Sequence, residues 1–327
     1  MGQAPHVVED CMGFLQLYSD GSVYRSSDLP IHIPLVPNDL VLYKDFTYDV
    51  ENNLLLRVYK PLTVTGNLPV VYYIHGGGFC FGSREWPACQ NCCTRLASGL
   101  GAVVVSPDYR LAPEHRLPDA IDDVYESLVW MRDLAGAEDR CRDAAEWLDG
   151  CGVDFGSVFV LGDSSGGNIA HHLAVRMGNK LREVGPVRIR GYVLLGPFFG
   201  GVVRTKSEEG PPEAMLNLDI LDSFWRLSLP PGETRDHPLA NPFGLASLEF
   251  ESLSLGPFLV IAAGNELLKD RAEEYVWRMK EMGKDVEYVV YEGKEHGFFT
   301  NEPYSEIGDR VVQAVEKFLR TTLESAK

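Results

Sequence analysis

The segment Gly162-Asp163-Ser164-Ser165-Gly166-Gly167-Asn168 sets a serine between glycines at the spacing G-x-S-x-G. An apolar run, Val158 to Leu161, precedes it and a helical pattern follows. In that context the motif makes a sharp strand-to-helix turn that presents the serine hydroxyl. Small flanking residues permit the turn, and the helix N-terminus behind it favours developing negative charge. Ser164 is therefore the candidate nucleophile. Ser165 competes, but no glycine stands two residues before it. A phosphate-binding loop would need Gly-Lys-Ser/Thr, and no such triplet follows.

A second glycine-rich element, His75-Gly76-Gly77-Gly78-Phe79, comes directly after the apolar run Val70 to Ile74. Consecutive glycines let backbone N–H groups turn toward a ligand without Cβ crowding. In lipases and esterases such a loop, with the residue after the nucleophile, forms an oxyanion hole. The candidate donors are the N–H groups of Gly77, Gly78 and Ser165. Losing one such donor costs about 3–4 kcal/mol of transition-state stabilisation. The chemistry this implies is acyl transfer, and it needs a carboxylate and then a histidine further along the chain. His296, in Glu295-His296-Gly297-Phe298, follows the last apolar run and is the candidate base. Glu266 and Asp270, in Gly264-Asn265-Glu266-Leu267-Leu268-Lys269-Asp270, are the candidates to orient its imidazole.

Elements must hold these residues in place. Short apolar runs alternate with longer helical patterns, the signature of βα units and a mostly parallel sheet. Leu40 to Tyr48 and Leu54 to Tyr59 alternate with period two and read as an antiparallel pair opening the sheet. Val70 to Ile74, Ala102 to Ser106, Val158 to Leu161, Tyr192 to Leu195, Phe258 to Ala262 and Val286 to Tyr291 read as buried strands. Helices are expected over Pro87–Leu100, Pro118–Leu134, Gly167–Met177, Arg271–Met282 and Ser305–Leu323. Two regions break this rhythm: an N-terminal arm, residues 1 to about 38, and the segment from about 200 to 250. The latter holds a helical stripe, Met215, Leu218, Leu221, Phe224 and Trp225, suited to the core or to a cap over the site. Phe79, Phe224 and Trp225 are the candidate substrate contacts. On the arm, Met12, Phe14, Leu15 and Leu17 form an apolar cluster, and Cys11 beside them is expected to be the most reachable thiol.

Composition bounds the partners. The chain has 327 residues, with 47 acidic against 30 basic side chains and a net charge of −17. Such a surface repels phosphate backbones and anionic membranes, so neither nucleic acid nor membrane is an expected partner, and a neutral, apolar small molecule is. No apolar stretch at the N-terminus reads as a signal peptide. Seven cysteines then read as reduced thiols of a cytoplasmic protein, with the nucleus as an alternative. The cluster Cys89, Cys92 and Cys93 lacks a second zinc-spaced pair and reads as buried helix thiols. His171 and His172 read as packing or solvent-facing residues, and Arg110 to Pro118 as a rigid structural loop near the site. No metal or cofactor is implied, and nothing chooses between a monomer and a homodimer.

His75-Gly-Gly-Gly-Phe, Asp108-Tyr-Arg-Leu-Ala-Pro-Glu-His-Arg-Leu-Pro118 and Gly162-Asp-Ser-Ser-Gly-Gly-Asn168 together resemble the plant carboxylesterases, α/β-hydrolases of the hormone-sensitive-lipase type. The resemblance runs from about residue 8 to the end. It implies one α/β-hydrolase domain, 1–327, with a mostly parallel sheet flanked by helices and a cap built from residues 1–38 and 200–250. Glu9-Asp-Cys-Met-Gly13, Phe79-Cys-Phe-Gly-Ser83, Gly196-Pro-Phe-Phe-Gly-Gly201 and Asn241-Pro-Phe-Gly244 are most similar to the carboxylesterase-15 group, which implies hydrolysis of strigolactones, butenolide plant hormones. The family's usual acid is the first Asp of D-x-L-x-D. Glu266 stands at that position, so the resemblance assigns the acid to Glu266 and a secondary role to Asp270. It also leaves a rival reading, since gibberellin receptors of the family keep the serine and lose the histidine. An amidase or thioesterase could use the same triad.

Overall fold

Gly, Pro and Asn breaks between apolar runs divide the chain into eleven strands and eight α-helices among the described residues. The computed structural model describes residues 4–26, 33–63, 66–178, 184–214, 216–244, 247 and 250–325. In chain order the elements are β1 (Val7–Cys11), β2 (Leu15–Tyr18), β3 (Val23–Arg25), β4 (Val41–Asp49), β5 (Leu54–Pro61), β6 (Leu68–Ile74) and α1 (Pro87–Leu100). Next come β7 (Val103–Pro107), α2 (Asp119–Ala135), α3 (Arg142–Leu148), β8 (Val153–Asp163), α4 (Ser165–Gly178) and β9 (Ile189–Leu195). The last third holds α5 (Leu218–Ser228), β10 (Phe258–Ala263), α6 (Lys269–Glu281), β11 (Val286–Tyr291), α7 (Phe298–Asn301) and α8 (Glu306–Ser325).

Eight strands join one sheet in the order β11-β10-β9-β8-β6-β7-β5-β4. The expected antiparallel pair is β4 and β5, with Phe46 opposite Leu56. From β7 to β11 all neighbours are parallel. Alternate side chains of a strand leave on opposite faces, and each face buries its own helices. On one side Val71, Tyr73, Phe159 and Ile261 pack with α1 and α8, including Cys92, Leu96, Val311 and Phe318. On the other Tyr72, Val160 and Val260 meet α2, α4 and α6 through Leu128, Leu173 and Tyr275. Cys89, Cys92 and Cys93 are buried thiols of the α1 layer, as their helical setting implied. The buried His171 packs on Tyr275, whose hydroxyl lies 3.0 Å from its Nδ1.

The N-terminal arm stays outside this sheet, yet it is a small sheet itself, antiparallel in the order β1-β2-β3. Two tight turns permit it. Met12 and Gly13 take positive φ and the Gly13 N–H donates to Asp10 Oδ1 at 2.6 Å. Ser22 closes the second turn on Asp20. Sequence reading missed these strands because three to five residues are too few for periodicity to register. Leu15 is fully buried and Cys11 nearly so, in a cluster with Cys80, Phe81, Ile220 and Leu227, while Met12 is exposed. This corrects the expectation that Cys11 is a reachable thiol: burial, with the Glu9 and Asp10 charges, pushes it up to about 11, which leaves little reactive thiolate at neutral pH.

The inserted segment is stapled at both ends. Asn217 caps α5, its side chain accepting the Ile220 N–H at 2.9 Å. The cap starts the helix at Leu218, three residues after Met215, the first residue of the expected stripe, which lies outside the described residues. Glu9 of β1 accepts from Arg226 Nη2 at 2.6 Å and from Ser223 Oγ at 2.9 Å, tying α5 to the N-terminal sheet. Glu208 pairs with Arg271 of α6 at 3.0 Å, both side chains almost wholly buried. Breaking a buried pair of this kind costs about 3–5 kcal/mol.

Candidate active site

Parallel strands deliver their C-terminal ends to one edge of the sheet, where the loops can converge on a ligand. Ser164 follows β8, Gly196 follows β9, Glu266 follows β10 and His296 follows β11, four neighbouring strands. Adjacent strands lie about 4.8 Å apart, so side chains from β8, β10 and β11 can meet above β9.

Ser164 sits between β8 and α4 with φ +53°, in the left-handed region that strains a residue other than glycine. Its N–H donates to Leu195 O at 2.8 Å and its carbonyl accepts from Gly167 and Phe198 N–H, both at 2.9 Å. The motif glycines are demanded by contact. A Cβ on Gly162 would run into the Gly166 carbonyl, and one on Gly166 into the Ile74 carbonyl. Ser165 opens α4 and carries one of the helix N–H groups that lack an intrahelical acceptor.

The loop after β6 turns sharply, with both Cys80 and Phe81 N–H donating to Gly77 O at 3.0 Å. Among the described residues no acceptor is found for the N–H of Gly77 or Gly78. The loop is held from behind. His75 stacks on Tyr109 at 4.2 Å and donates Nδ1–H to Gly76 O at 2.8 Å. Tyr109 Oη donates to His75 O at 2.9 Å, and Ala112 N–H donates to Phe79 O at 2.9 Å. The Arg110 to Pro118 stretch therefore begins as a buttress of this loop, matching its structural reading, and Arg110 itself is anchored on Asp123 at 2.7 Å.

The histidine and its acid are in contact. His296 Nδ1 lies 2.7 Å from Glu266 Oε2, and Glu266 Oε1 accepts the Ala263 N–H at 2.8 Å. A carboxylate only accepts, so Nδ1 carries the proton and Nε2 is the basic nitrogen of the neutral ring. Burial opposes charge on His296, but the Glu266 hydrogen bond and the charges of Glu266, Asp163 and Glu213 outweigh it and raise the imidazole to about 9. Asp163, Gly196, Glu266 and His296 line one small cavity, which brings Asp163, the neighbour of Ser164, beside the pair. Asp270 is engaged elsewhere: its Oδ2 accepts the Ser207 N–H at 2.9 Å. Of the two carboxylates left open by the residues alone, the fold brings Glu266 to the imidazole.

The three apolar candidates separate. Trp225 stacks on Phe198 at 4.1 Å and lies 5.7 Å from Phe79, all three buried. Phe79 and Trp225 thus pack α5 onto the glycine loop. Phe224 instead lays its ring on Gly78, where an added Cβ would collide with it. Two residues escaped the sequence reading. Gly196 (φ +46°) leaves room for the acid–base pair, and Glu213, in the insertion, accepts the His296 N–H at 2.6 Å. No local pattern marks either residue. Among the described residues no cluster of His, Cys, Asp and Glu suited to a metal ion is found, and no helix is long and apolar enough to cross a membrane.

Comparison with known proteins agrees with this fold. A family model described as alpha/beta hydrolase fold matches residues 71–300, and a carboxylesterase family model matches residues 9–113. Probable carboxylesterase 6 of Arabidopsis thaliana is 36% identical over 301 residues, covering 89% of this chain and 84% of that protein. A gibberellin receptor of Arabidopsis thaliana is 35% identical, covering 77% of this chain and 71% of the receptor. The esterase of Pyrobaculum calidifontis superposes with a TM-score of 0.71 at 32% identity, covering 89% of this chain and 87% of the esterase. The chain belongs to the α/β-hydrolase family. Within that family its likeness is to the plant carboxylesterases of the hormone-sensitive-lipase type, and it is a carboxylic ester hydrolase.

Proposed function

We propose that Ser164 attacks the ester carbonyl, that His296 accepts its proton at Nε2, and that Glu266 orients the imidazole and stabilises the imidazolium that forms. The contact that carries this reading is Glu266 Oε2 to His296 Nδ1 at 2.7 Å, in a cavity that Asp163 shares, the residue before Ser164 on its strained turn. The N–H groups of Gly77, Gly78 and Ser165 bind the tetrahedral oxygen. His296 then returns the proton to the leaving alcohol, and water, deprotonated by the same imidazole, releases the acyl group from Ser164. The N-terminal sheet and α5 act as a cap over this site, with Phe224 facing the substrate. A compartment that keeps thiols reduced, the cytoplasm or nucleus, suits seven unpaired cysteines.

The substrate is a small, neutral, apolar ester or lactone, and a butenolide of the strigolactone type is the first choice. The acidic surface disfavours anionic substrates, and the aromatic side chains around α5 favour an apolar one. The family likeness to a gibberellin receptor supports a second reading, hormone binding with little turnover. Incubating the protein with a synthetic strigolactone and with short p-nitrophenyl esters, and comparing kcat/KM, decides between them. Turnover that Ser164→Ala abolishes, with the hormone preferred, supports the first reading. Tight hormone binding with no cleavage of any ester supports the second, and poor cleavage of the hormone beside good cleavage of p-nitrophenyl esters removes the hormone from the first.

A further inference from the structure

Glu213 stands on the inserted segment, after Pro211-Pro212 and ahead of α5. Its carboxylate does not face solvent as an insertion residue ordinarily would. Oε2 accepts the backbone N–H of His296 at 2.6 Å, and Oε1 accepts the backbone N–H of Leu267 at 2.7 Å. The first donor belongs to the candidate base and the second to the residue after the candidate acid. The next residue along, Ala214, donates its N–H to Glu295 Oε2 at 3.1 Å, so the segment grips the histidine loop twice. Two backbone contacts also join these loops, Gly264 N–H to Tyr291 O at 2.9 Å and Asn265 N–H to Lys294 O at 2.8 Å, together with the Glu266–His296 pair itself.

We propose that Glu213 is a positioning residue: its carboxylate bridges the Glu266 loop and the His296 loop, holds the acid and the base in register, and adds a negative charge beside the imidazole. The proposal rests on the assignment of Glu266 and His296 above. Two physical effects carry it. A carboxylate taking two backbone N–H groups makes charge-assisted hydrogen bonds, stronger than neutral ones and fixed in direction. One donor is the N–H of His296 itself and the other is on the residue after Glu266, the two residues that must keep a 2.7 Å contact, and an error of about 1 Å there costs about a hundredfold in rate. The charged groups facing Glu213 are His296, which favours its ionised form, and Glu266, which opposes it. Glu295 meets the same segment through Ala214. Burial holds the Glu213 carboxyl above its ordinary value, and His296 with the two N–H donors offsets only part of that effect. The bridge also makes the insertion that carries α5 part of the catalytic framework.

The test uses Glu213→Gln and Glu213→Asp in the full-length protein. Gln keeps the size but sets an NH2 group against one of the two N–H donors and removes the charge. Its kcat should fall about tenfold to a hundredfold, the range of one or two charged hydrogen bonds, with KM for p-nitrophenyl acetate within about twofold. The acid limb of its kcat/KM profile should move to lower pH, because the imidazole loses a neighbouring anion. Asp keeps the charge with one methylene less, so its acid limb should stay in place while kcat falls less than in Gln. Wild-type kcat in Gln, or an acid limb that does not move, overturns the proposal and leaves Glu213 as an anchor of the insertion. Should Gln lack a cooperative melt, Asp decides: reduced kcat at unchanged KM supports the bridge, and wild-type kcat overturns it. NMR titration of His296 in the Ser164→Ala background reads the charge without turnover. A lower imidazole pKa on adding Glu213→Gln supports the proposal, and an unchanged one overturns it. Turnover surviving in Ser164→Ala would instead sink the nucleophile assignment, and that titration would still judge Glu213.

Discussion

Glu266 Oε2 lies 2.7 Å from His296 Nδ1, although Asp270, the shorter and more usual carboxylate, stands only four residues along. The difference is one of position on the chain. Glu266 sits on the loop leaving β10, where its backbone is held at the sheet edge and its side chain meets the imidazole over Gly196, at the end of β9. Asp270 lies in the first turn of α6 and accepts the Ser207 N–H, so it serves the inserted segment.

Glu266→Gln should therefore lower kcat about ten-thousandfold, since an amide stabilises the wrong imidazole tautomer. Glu266→Asp should keep part of the activity, to the extent that the β10 loop can move inward. Asp270→Asn should keep turnover and cost about 1 kcal/mol of stability, the worth of a typical hydrogen bond. Steady-state kinetics and thermal melts of the three variants check this. A dead Asp270→Asn beside an active Glu266→Gln would exchange the two roles.

Gly196→Ala is the second test. A Cβ there would stand 2.8 Å from Glu266 Oε2 and 2.9 Å from His296 Nδ1. Neither can retreat freely, because Glu266 is held by Ala263 and His296 by Glu213. The expected result is a loss of about a hundredfold or more in kcat, with a folded protein by circular dichroism. Full activity would mean that the pair is looser than its hydrogen bonds imply.

Phe224 and Trp225 should respond differently although they are neighbours. Trp225→Ala removes a buried ring stacked on Phe198 and should cost about 3–5 kcal/mol of stability. Phe224→Ala uncovers Gly78 and should raise KM for a butenolide more than for p-nitrophenyl acetate, with a smaller loss of stability. Melting curves and KM for both substrates separate the two. Equal KM changes on the two substrates would give Phe224 a packing role only.

The pH dependence follows from His296. Its imidazole is raised to about 9 and must be neutral to act as base, so kcat/KM should climb as pH rises toward about 9, with an acid limb above about 6.5, the ordinary histidine value. For stability the sign is opposite. A folded pKa above the unfolded one contributes stability fully present below about 6.5, and that contribution fades as pH rises through the folded value. Removing the Glu266 charge in Glu266→Gln should move the acid limb of activity downward. Profiles of kcat/KM and of melting temperature against pH, in wild type and variant, test both statements. A wild-type acid limb below the ordinary histidine value would contradict the carboxylate pairing.

Some of this protein is written in contiguous residues. The serine turn and the three glycines after His75 depend on local backbone, where each glycine and each apolar strand run can be read in place. His296 is legible for the same reason, as a histidine just past the last strand. The parallel sheet and most helices are legible because burial imposes period two or 3.6 over enough residues to register. The N-terminal strands are too short for that, and their small sheet exists only because Leu15 and Cys11 find Cys80, Phe81 and Ile220 to pack on. Tertiary structure alone decides the rest. Phe224 and Trp225 are adjacent, yet successive helical residues point about 100° apart, and which one meets Gly78 depends on how α5 docks. Glu213 meets Leu267 and His296 across sequence separations of 54 and 83 residues. No local pattern encodes such a contact, since its partners are backbone N–H groups that every residue but proline carries. Only the fold, by bringing three loops to one sheet edge, turns that glutamate into part of the site.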